Sequence, residues 1–294
     1  MNFAHLLSPN NLEDLARRWL SEDQPGFDVG GYVVGDDLKE AHIYFKSSGV
    51  LCGVPFAEAI CRVQGCDVEW HFKEGVEFSD SELIQDSGLR RKHVATVRGR
   101  CCDVLRVERT VLNVLSRASG VATQARAAVA IAKKEEWHGT IAGTRKTTPG
   151  FRSVEKYALI VGGASTHRQD LSQMVMLKDN HIWAMGSITG AVQRAKEAAG
   201  FSMKIEVECQ SEDEALEAAV AGADIVMLDN FSPCDVGLVA SNVKTKFPHI
   251  LIEASGGITT EVMANFMHPS VDIISRGSLT QGYPCVDISM KLNR

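Results

Sequence analysis

The sequence predicts an α/β protein in which a β/α barrel follows an N-terminal domain of a different kind. From about residue 140 onward, apolar strand-like runs alternate with helical segments, and these strands begin roughly 21 to 25 residues apart, as in parallel β/α units. Each run ends in a polar residue or a glycine turn, which is typical of barrel enzymes. Earlier in the chain the β-prone runs are short and separated by Gly, Asp and Ser clusters, which favours an antiparallel sheet.

The composition excludes several classes of protein. The 294 residues are 45% hydrophobic and 23% charged, unlike a disordered or collagen-like chain. A formal net charge of −6 argues against nucleic acid or a membrane surface as the main partner, since both favour a basic face. The N-terminus lacks the features of a signal peptide, and no apolar run approaches the roughly 18 residues of a membrane span. The eight cysteines form no CxxC pair, so we expect reduced thiols in a cytoplasmic protein.

The N-terminal elements follow from local patterns. Apolar residues on one face predict a helix over 12–20, with Asn11 as its N-cap. Short strands are predicted over 41–45, 68–72 and 94–97. In the second of these, apolar and polar residues alternate strictly, which is typical of a half-solvated antiparallel strand. The spacing of apolar residues then predicts a long helix over 104–126.

The C-terminal half contains four predicted parallel strands, over 204–209, 225–228, 250–254 and 272–274. Ser211 and Glu214 form a capping-box pattern for the helix that follows the first strand. Ser232 before Pro233 marks the start of the helix after the second strand. By themselves, these units allow either an open doubly wound sheet or a barrel.

The residues that end these strands favour the barrel. They are Glu208, Asp229, Ser255-Gly256-Gly257 and Arg276-Gly277. Functional groups at the carboxyl ends of successive strands are the pattern of barrel enzymes, and glycine turns let backbone N–H groups approach a phosphate. In the first strand, the period of two directs Lys204, Glu206 and Glu208 to one side, which we expect to be the barrel interior. Charges there are costly unless they are paired, bound to metal or used in chemistry.

A basic segment inside the acidic chain points to anionic ligands. Between Gly143 and His181, six Lys or Arg residues stand against three acids, a local balance of 6 − 3 = +3. The segment contains neither a Walker loop nor a dinucleotide fingerprint, and arginine suits bidentate capture of carboxylate or phosphate. The candidate anion ligands are Arg145, Lys146, His167, Arg168 and Lys178. The sequence therefore predicts a site for polyanionic ligands, with Glu208 and Asp229 able to hold Mg²⁺ that bridges phosphates.

Several motifs resemble the quinolinate phosphoribosyltransferase family, in order from about residue 100 to 280. They are Glu108-Arg109, Leu112-Asn113, Ser119-Gly120, Gly143-Thr-Arg-Lys-Thr-Thr-Pro-Gly-Phe-Arg152, His167-Arg168, Lys178-Asp-Asn-His181, Glu206-Val-Glu208, Met227-Leu-Asp-Asn230 and Ala254-Ser-Gly-Gly-Ile258. The resemblance implies phosphoribosyl transfer from 5-phosphoribosyl-1-diphosphate to quinolinate with decarboxylation. The products would be nicotinate mononucleotide, diphosphate and CO₂, in NAD biosynthesis.

The resemblance also implies an architecture. An N-terminal α/β sandwich domain would span residues 1–116, with the C-terminal tail 282–294 returning to it. An incomplete α/β barrel of the type II phosphoribosyltransferase kind would span residues 117–281. The chain would form a homodimer with shared active sites, in which Arg109 serves the neighbouring subunit's site. A higher oligomer such as a hexamer is an alternative.

The family's functional residues carry over to matching positions. The resemblance implies that Arg109, Arg145, Lys146, His167, Arg168 and Lys178 bind the carboxylates and part of the diphosphate. It implies that backbone groups of Ser255, Gly256, Gly257 and Gly277 bind the 5-phosphate. Lys146, Glu208 and Asp229 would be catalytic, and the two carboxylates would hold Mg²⁺ directly or indirectly.

Three other functions stay open on the residues alone. One is a Schiff-base aldolase that uses Lys178 or Lys204 on a phosphorylated sugar. Another is a barrel that binds a metabolite without catalysis, and the third is a nicotinate phosphoribosyltransferase. The large number of cations suits a dicarboxylate substrate better than a monocarboxylate.

Overall fold

A computed structural model describes residues 3–83, 85–86, 89–282 and 284–293. The chain divides into two compact units. The first comprises Met1–Arg126, Thr148–Gly163 and Tyr283–Arg294, and the second comprises Ala127–Thr147 and Ala164–Gly282. The domain boundary between residues 116 and 117 stays a prediction, and Tyr283 and Arg294 of the predicted tail lie outside the described residues.

The secondary structure alternates as expected in the second half of the chain. Elements up to residue 134 are helices α1 (Pro9–Asp23), α2 (Val29–Val34), α3 (Val54–Val63) and α4 (Cys101–Lys134), and strands β1 (Leu38–Phe45), β2 (Gly49–Val50), β3 (Asp67–Trp70), β4 (Glu77–Phe78), β5 (Gln85–Asp86), β6 (Leu89–Arg90) and β7 (Lys92–Arg100). Later elements are strands β8 (Thr140–Gly143), β9 (Val175–Leu177), β10 (Ile205–Cys209), β11 (Ile225–Asp229), β12 (Leu251–Ser255), β13 (Ile273–Arg276) and β14 (Ile288–Leu292), and helices α5 (Arg152–Gly162), α6 (Asp179–Met185), α7 (Ile188–Ala199), α8 (Glu212–Ala221) and α9 (Pro233–Lys246). Short 3₁₀ turns cover Phe3–Leu6, Met263–Phe266 and Gly277–Leu279.

Two of the predicted helices are longer than expected. Helix α1 has Ser8 at its N-cap and Pro9 at its first position, so the prediction of Asn11 as the N-cap is wrong. The fixed φ of proline suits the first helical position, where its missing N–H costs nothing. Helix α4 has 34 residues and extends beyond the predicted 104–126 at both ends. No helix among the described residues is both long enough and apolar enough to cross a membrane.

The first unit contains a four-stranded antiparallel sheet in the order β14-β1-β7-β3. Strand β14, near the C-terminal end of the chain, pairs with β1, and Ile43 stands opposite Met290. Strand β3 lies at the opposite edge, and its alternating burial agrees with the predicted half-solvated strand.

All eight cysteines of the chain are free thiols, six of them buried.

The second unit is built on a parallel six-stranded sheet in the order β8-β13-β12-β11-β10-β9. The four predicted strands form its centre, and the short strands β8 and β9 extend it at the two edges. Ser211 and Ser232 cap α8 and α9 by accepting the N–H groups of Glu214 and Asp235. Because all six strands are parallel, their carboxyl ends lie along one edge, where the polar strand ends collect.

A cluster of histidines lies on the antiparallel sheet and gives the chain a predictable pH response. The His93 ring stacks on the His42 ring with their centroids 4.2 Å apart, and it contacts the edge of the His71 ring with their centroids 4.5 Å apart. Burial, and then these two histidines, lower the pKa of His93. The folded chain therefore takes up this proton less readily than the unfolded chain. The stability from neutral His93 is complete above the unfolded pKa of about 6.5 and is lost as the pH falls below it.

When the pH is lowered from about 7.5 to about 5.5, we therefore expect the free energy of unfolding to decrease less in His93→Phe than in wild type. The phenyl ring keeps the stacking surface but cannot titrate. Urea unfolding at both pH values measures the difference, and His249→Phe, at an exposed position, serves as the control. An equal loss of stability in His93→Phe and wild type would contradict the prediction.

Candidate active site

A cavity of about 680 Å³ in the second unit lies at the carboxyl ends of the parallel strands. All of the predicted site residues except Arg109 line it: Arg145, Lys146, His167, Arg168, Lys178, Glu208, Asp229, Ser255, Gly256, Gly257 and Gly277. Each strand of the sheet supplies a residue at or just beyond its end. The strand order therefore gathers residues from 144 to 281 around one cavity.

One wall of the cavity is cationic. Burial, and then the neighbouring charge of Arg145, lower the pKa of Arg168. The Nε atom of Arg145 is buried and has no hydrogen-bond partner among the described residues. The backbone of Lys146 is held by the Thr280 hydroxyl, which donates to the Lys146 carbonyl at 2.9 Å. Two arginines that line one cavity favour an anion between them.

The cavity is also lined by carboxylates. The Lys178 ammonium pairs with Glu208. Burial, and then the charge of Glu208, raise the pKa of Asp229, whose Oδ2 accepts the side-chain amide of Asn230 at 2.6 Å. A divalent cation relieves repulsion between neighbouring carboxylates, and carboxylate oxygens are ligands that Mg²⁺ prefers. Glu208 and Asp229 therefore fit a Mg²⁺ ion.

The turn after β12 is shaped for close backbone approach. Gly256 has φ of +92° and Gly257 has φ of +62°, a region that favours glycine. A Cβ atom at Gly256 would lie 2.4 Å from Oδ1 of Asn230, so no side chain fits there. After β13, a Cβ atom at Gly277 would lie 2.8 Å from the Lys146 side chain. Packing therefore requires glycine at 256 and backbone conformation favours it at 257, whereas a side chain at 277 would displace only the flexible Lys146 side chain.

A buried cluster below the cavity joins His167, Glu206 and Glu253. Both glutamates are fully buried, and Nε2 of His167 lies 3.0 Å from Glu253 and 3.5 Å from Glu206. Burial, and then Glu253, raise the pKa of Glu206 to about 7. Glu206 accepts no side-chain hydrogen bond of good geometry from the described residues. The interior position predicted for Glu206 is confirmed, whereas that predicted for Lys204 is wrong, because Lys204 is exposed and precedes the first residue of β10.

The position of the His167 proton follows from its contacts. Nδ1 accepts the backbone N–H of Arg168 at 2.8 Å, so in this arrangement the ring proton is on Nε2, where it is donated to Glu253. Burial lowers the pKa of His167, whereas the neighbouring carboxylates of Glu206 and Glu253 raise it by more. Protonation of Nδ1 nevertheless requires release of the Arg168 contact. The possible metal-ligating atoms of His167, Glu206 and Glu253 lie within 4.8 Å of one another. A protonated Nε2 cannot ligate a metal ion, however.

Direct substrate binding by His167 stays a prediction, because protein groups engage both of its ring nitrogens. The sequence reasoning missed several polar residues of the cavity, among them Asn230, Glu253 and Ser275. Glu253 has a recognisable signal, since it is the single charged residue in the apolar strand Leu251–Ser255. The same reasoning that places Glu206 in the interior applies to it.

Arg109 lies in the first unit, on α4. It lines a different cavity of about 380 Å³, together with Trp19, Asn113 and Phe151. The predicted contribution of Arg109 to a neighbouring subunit's site stays a prediction.

The fold and the cavity define an enzyme with an incomplete α/β barrel, whose parallel sheet has two edges, and with a polyanion site at the carboxyl ends of its strands. The model of the quinolinate phosphoribosyl transferase C-terminal domain matches residues 121–291, and that of the N-terminal domain matches residues 28–119. The chain belongs to the quinolinate phosphoribosyltransferase family.

Individual relatives agree along the whole chain. The chain is 47% identical to the carboxylating nicotinate-nucleotide pyrophosphorylase of Dictyostelium discoideum, covering 100% of both chains. It is 47% identical to the human protein of that name, covering 98% of this chain and 94% of the relative. The structure of the nicotinate-nucleotide pyrophosphorylase from Francisella tularensis superposes with a TM-score of 0.87 at 29% identity, covering 98% of each chain.

These findings confirm the predicted family, the fold class and the activity, that of a decarboxylating phosphoribosyltransferase of NAD biosynthesis. They do not favour the aldolase or the nicotinate phosphoribosyltransferase. Human nicotinic acid phosphoribosyltransferase is similar in fold alone, with 14% identity and a TM-score of 0.58.

Proposed function

We propose that the cavity of the second unit transfers the phosphoribosyl group of 5-phosphoribosyl-1-diphosphate to quinolinate. The observation that carries this proposal is that one cavity is lined by two sets of charged residues, the cations Arg145, Lys146 and Arg168 and the carboxylates Glu208 and Asp229. The first suits a dicarboxylate and a diphosphate, and the second suits a ribosyl centre that becomes positively charged.

The residues of the cationic wall would bind and orient the anions. Arg145 and Arg168 bind the quinolinate carboxylates in bidentate fashion, with Lys178 and His167 beside them. Lys146 neutralises the diphosphate as it leaves. The backbone N–H groups of the Ser255–Gly257 turn and of Gly277 hold the 5-phosphate.

The reaction proceeds in two consecutive steps. The bond from C1 of the ribose to the diphosphate oxygen breaks, and the pyridine nitrogen forms the new bond to C1. Glu208 and Asp229 stabilise positive charge on the ribose during this step. Next, the C2–carboxylate bond breaks and CO₂ leaves. The electron pair left on C2 is stabilised by the adjacent pyridinium nitrogen and then takes up a proton, which gives nicotinate mononucleotide.

We further propose that Glu208 and Asp229 hold Mg²⁺, directly or through water. The ion supplies charge neutralisation of the diphosphate. We also propose a cytoplasmic homodimer with shared active sites, in which Arg109 completes the cavity of the neighbouring subunit.

The test is a reaction of the purified chain with Mg²⁺, quinolinate and 5-phosphoribosyl-1-diphosphate. We expect equal molar release of CO₂ and diphosphate, and loss of most of the rate when EDTA removes the metal ion. Nicotinate in place of quinolinate is the matched control, since it has no second carboxylate to lose. Turnover of nicotinate but not quinolinate, or covalent trapping of a lysine by borohydride with a sugar phosphate, would overturn the assignment.

A further inference from the structure

Buried hydrogen bonds run beneath the cavity and connect its cationic wall with its glycine turn. Glu253, at their centre, is fully buried. Its Oε2 accepts from Nε2 of His167 at 3.0 Å, and its Oε1 accepts from the Ser275 hydroxyl at 2.5 Å. The hydroxyl oxygens of Ser275 and Ser255 lie 3.2 Å apart. One carboxylate thus contacts two side chains from different elements.

The His167 end of this network determines the course of the backbone at Arg168. His167 has φ of +53°, a left-handed conformation that is uncommon for a residue with a side chain. Its Nδ1 accepts the Arg168 N–H at 2.8 Å, while its Nε2 is held by Glu253. Because both nitrogens are engaged, the imidazole joins the buried carboxylate to the backbone of the arginine.

We propose that Glu253 is a positioning residue for the transfer reaction, which aligns Arg168 through His167 and the phosphate turn at Ser255 through Ser275. The inference rests on the proposed function, because that function assigns Arg168 to quinolinate and the turn to the 5-phosphate. Glu253 itself lines the cavity but is fully buried, so it acts through His167 and Ser275 rather than by contact with a substrate.

Hydrogen-bond geometry rather than charge is what this role requires. A glutamine at 253 accepts from His167 with its amide oxygen and donates to Ser275 with its amide nitrogen, so it satisfies both partners. A methionine of similar length offers neither interaction, so it removes the link between His167 and Ser275 and weakens the hydrogen bonding of both. The pair Glu253→Gln and Glu253→Met therefore separates positioning from the filling of space.

The experiment measures KM for each substrate at saturating levels of the other, in wild type, Glu253→Gln, Glu253→Met and Ser275→Ala. We expect Glu253→Met to raise both KM values about tenfold or more, and Glu253→Gln to stay within about threefold of wild type. Ser275→Ala interrupts one branch only. It should raise KM for 5-phosphoribosyl-1-diphosphate by at least about threefold and leave that for quinolinate near its wild-type value.

Several outcomes would overturn the proposal. One is a Glu253→Met enzyme with a lower kcat and unchanged KM values, which is the result of a merely structural role. Another is a Glu253→Gln enzyme as impaired as Glu253→Met, which would make the charge decisive. If Glu253→Met does not fold, an unchanged KM for both substrates in Ser275→Ala overturns it. Wild-type turnover is measured first, so failure of the proposed function itself is seen independently.

Discussion

Arg145→Ala is expected to lower kcat/KM for quinolinate by about 100- to 1000-fold, the usual cost of removing one preorganised charge from an active site. Arg145 lines the cavity, and its Nε atom is buried without a partner among the described residues. Its charge lies close enough to Arg168 to lower the pKa of that guanidinium. A dicarboxylate between the two arginines relieves this repulsion, and alanine removes half of the pair.

Two further variants make the Arg145 result specific. Arg145→Lys keeps the charge but loses the planar fork, so we expect an intermediate loss of kcat/KM. Arg194→Ala removes an exposed arginine of α7 whose weak ion pair with Glu197 is 3.9 Å long, and it should behave as wild type. Steady-state kinetics with quinolinate as the varied substrate provide the measurement. A nearly unchanged kcat/KM in Arg145→Ala would show that the carboxylate assignment is wrong.

Subunit mixing is expected to restore activity between two variants that are inactive alone. Arg109→Ala removes the residue predicted to act on the neighbouring subunit, and Glu208→Ala removes a carboxylate of the cavity itself. In a mixed dimer, one site combines an intact Glu208 with an intact Arg109 from the other chain. Half of the dimers are mixed after random exchange and each has one good site, so about a quarter of wild-type activity should return.

The matched control mixes Glu208→Ala with Asp229→Ala. These two residues line the same cavity of one chain, so no mixed dimer has a complete site and no activity should return. Activity is measured after co-refolding of equal amounts of the two chains. If the Arg109→Ala and Glu208→Ala mixture stays as inactive as this control, Arg109 does not act across a subunit interface.

Much of the second unit was predictable because its strands carry their own signals. Four strands are marked by apolar runs, and Ser211 and Ser232 mark the helices between them. The edge strands β8 and β9 were not predicted, since they have only four and three residues. So few residues show no clear periodicity, and sheet pairing rather than local pattern makes them strands.

The candidate site was predictable where its residues lie at the ends of strands. Glu208 and Asp229 end neighbouring parallel strands, and such ends meet at one edge of a sheet whatever the strand order. Pairings across the sheet were not predictable in the same way. The contact of Glu253 with His167 joins residues 86 positions apart, and local pattern contains no information about such a pair.

The sequence alone determined the family, because the family's motifs occur in order along the chain. It also determined which polar strand ends face the cavity, because side chains alternate with a period of two along each strand. Only the tertiary structure decided which buried groups support them. The order β8-β13-β12-β11-β10-β9 brings Ser275 beside Glu253, and the left-handed turn at His167 directs its ring to the same carboxylate. A hydrogen bond requires a donor–acceptor distance that is correct to within a few tenths of an ångström. Between distant parts of the chain, such distances are set only when the sheet forms.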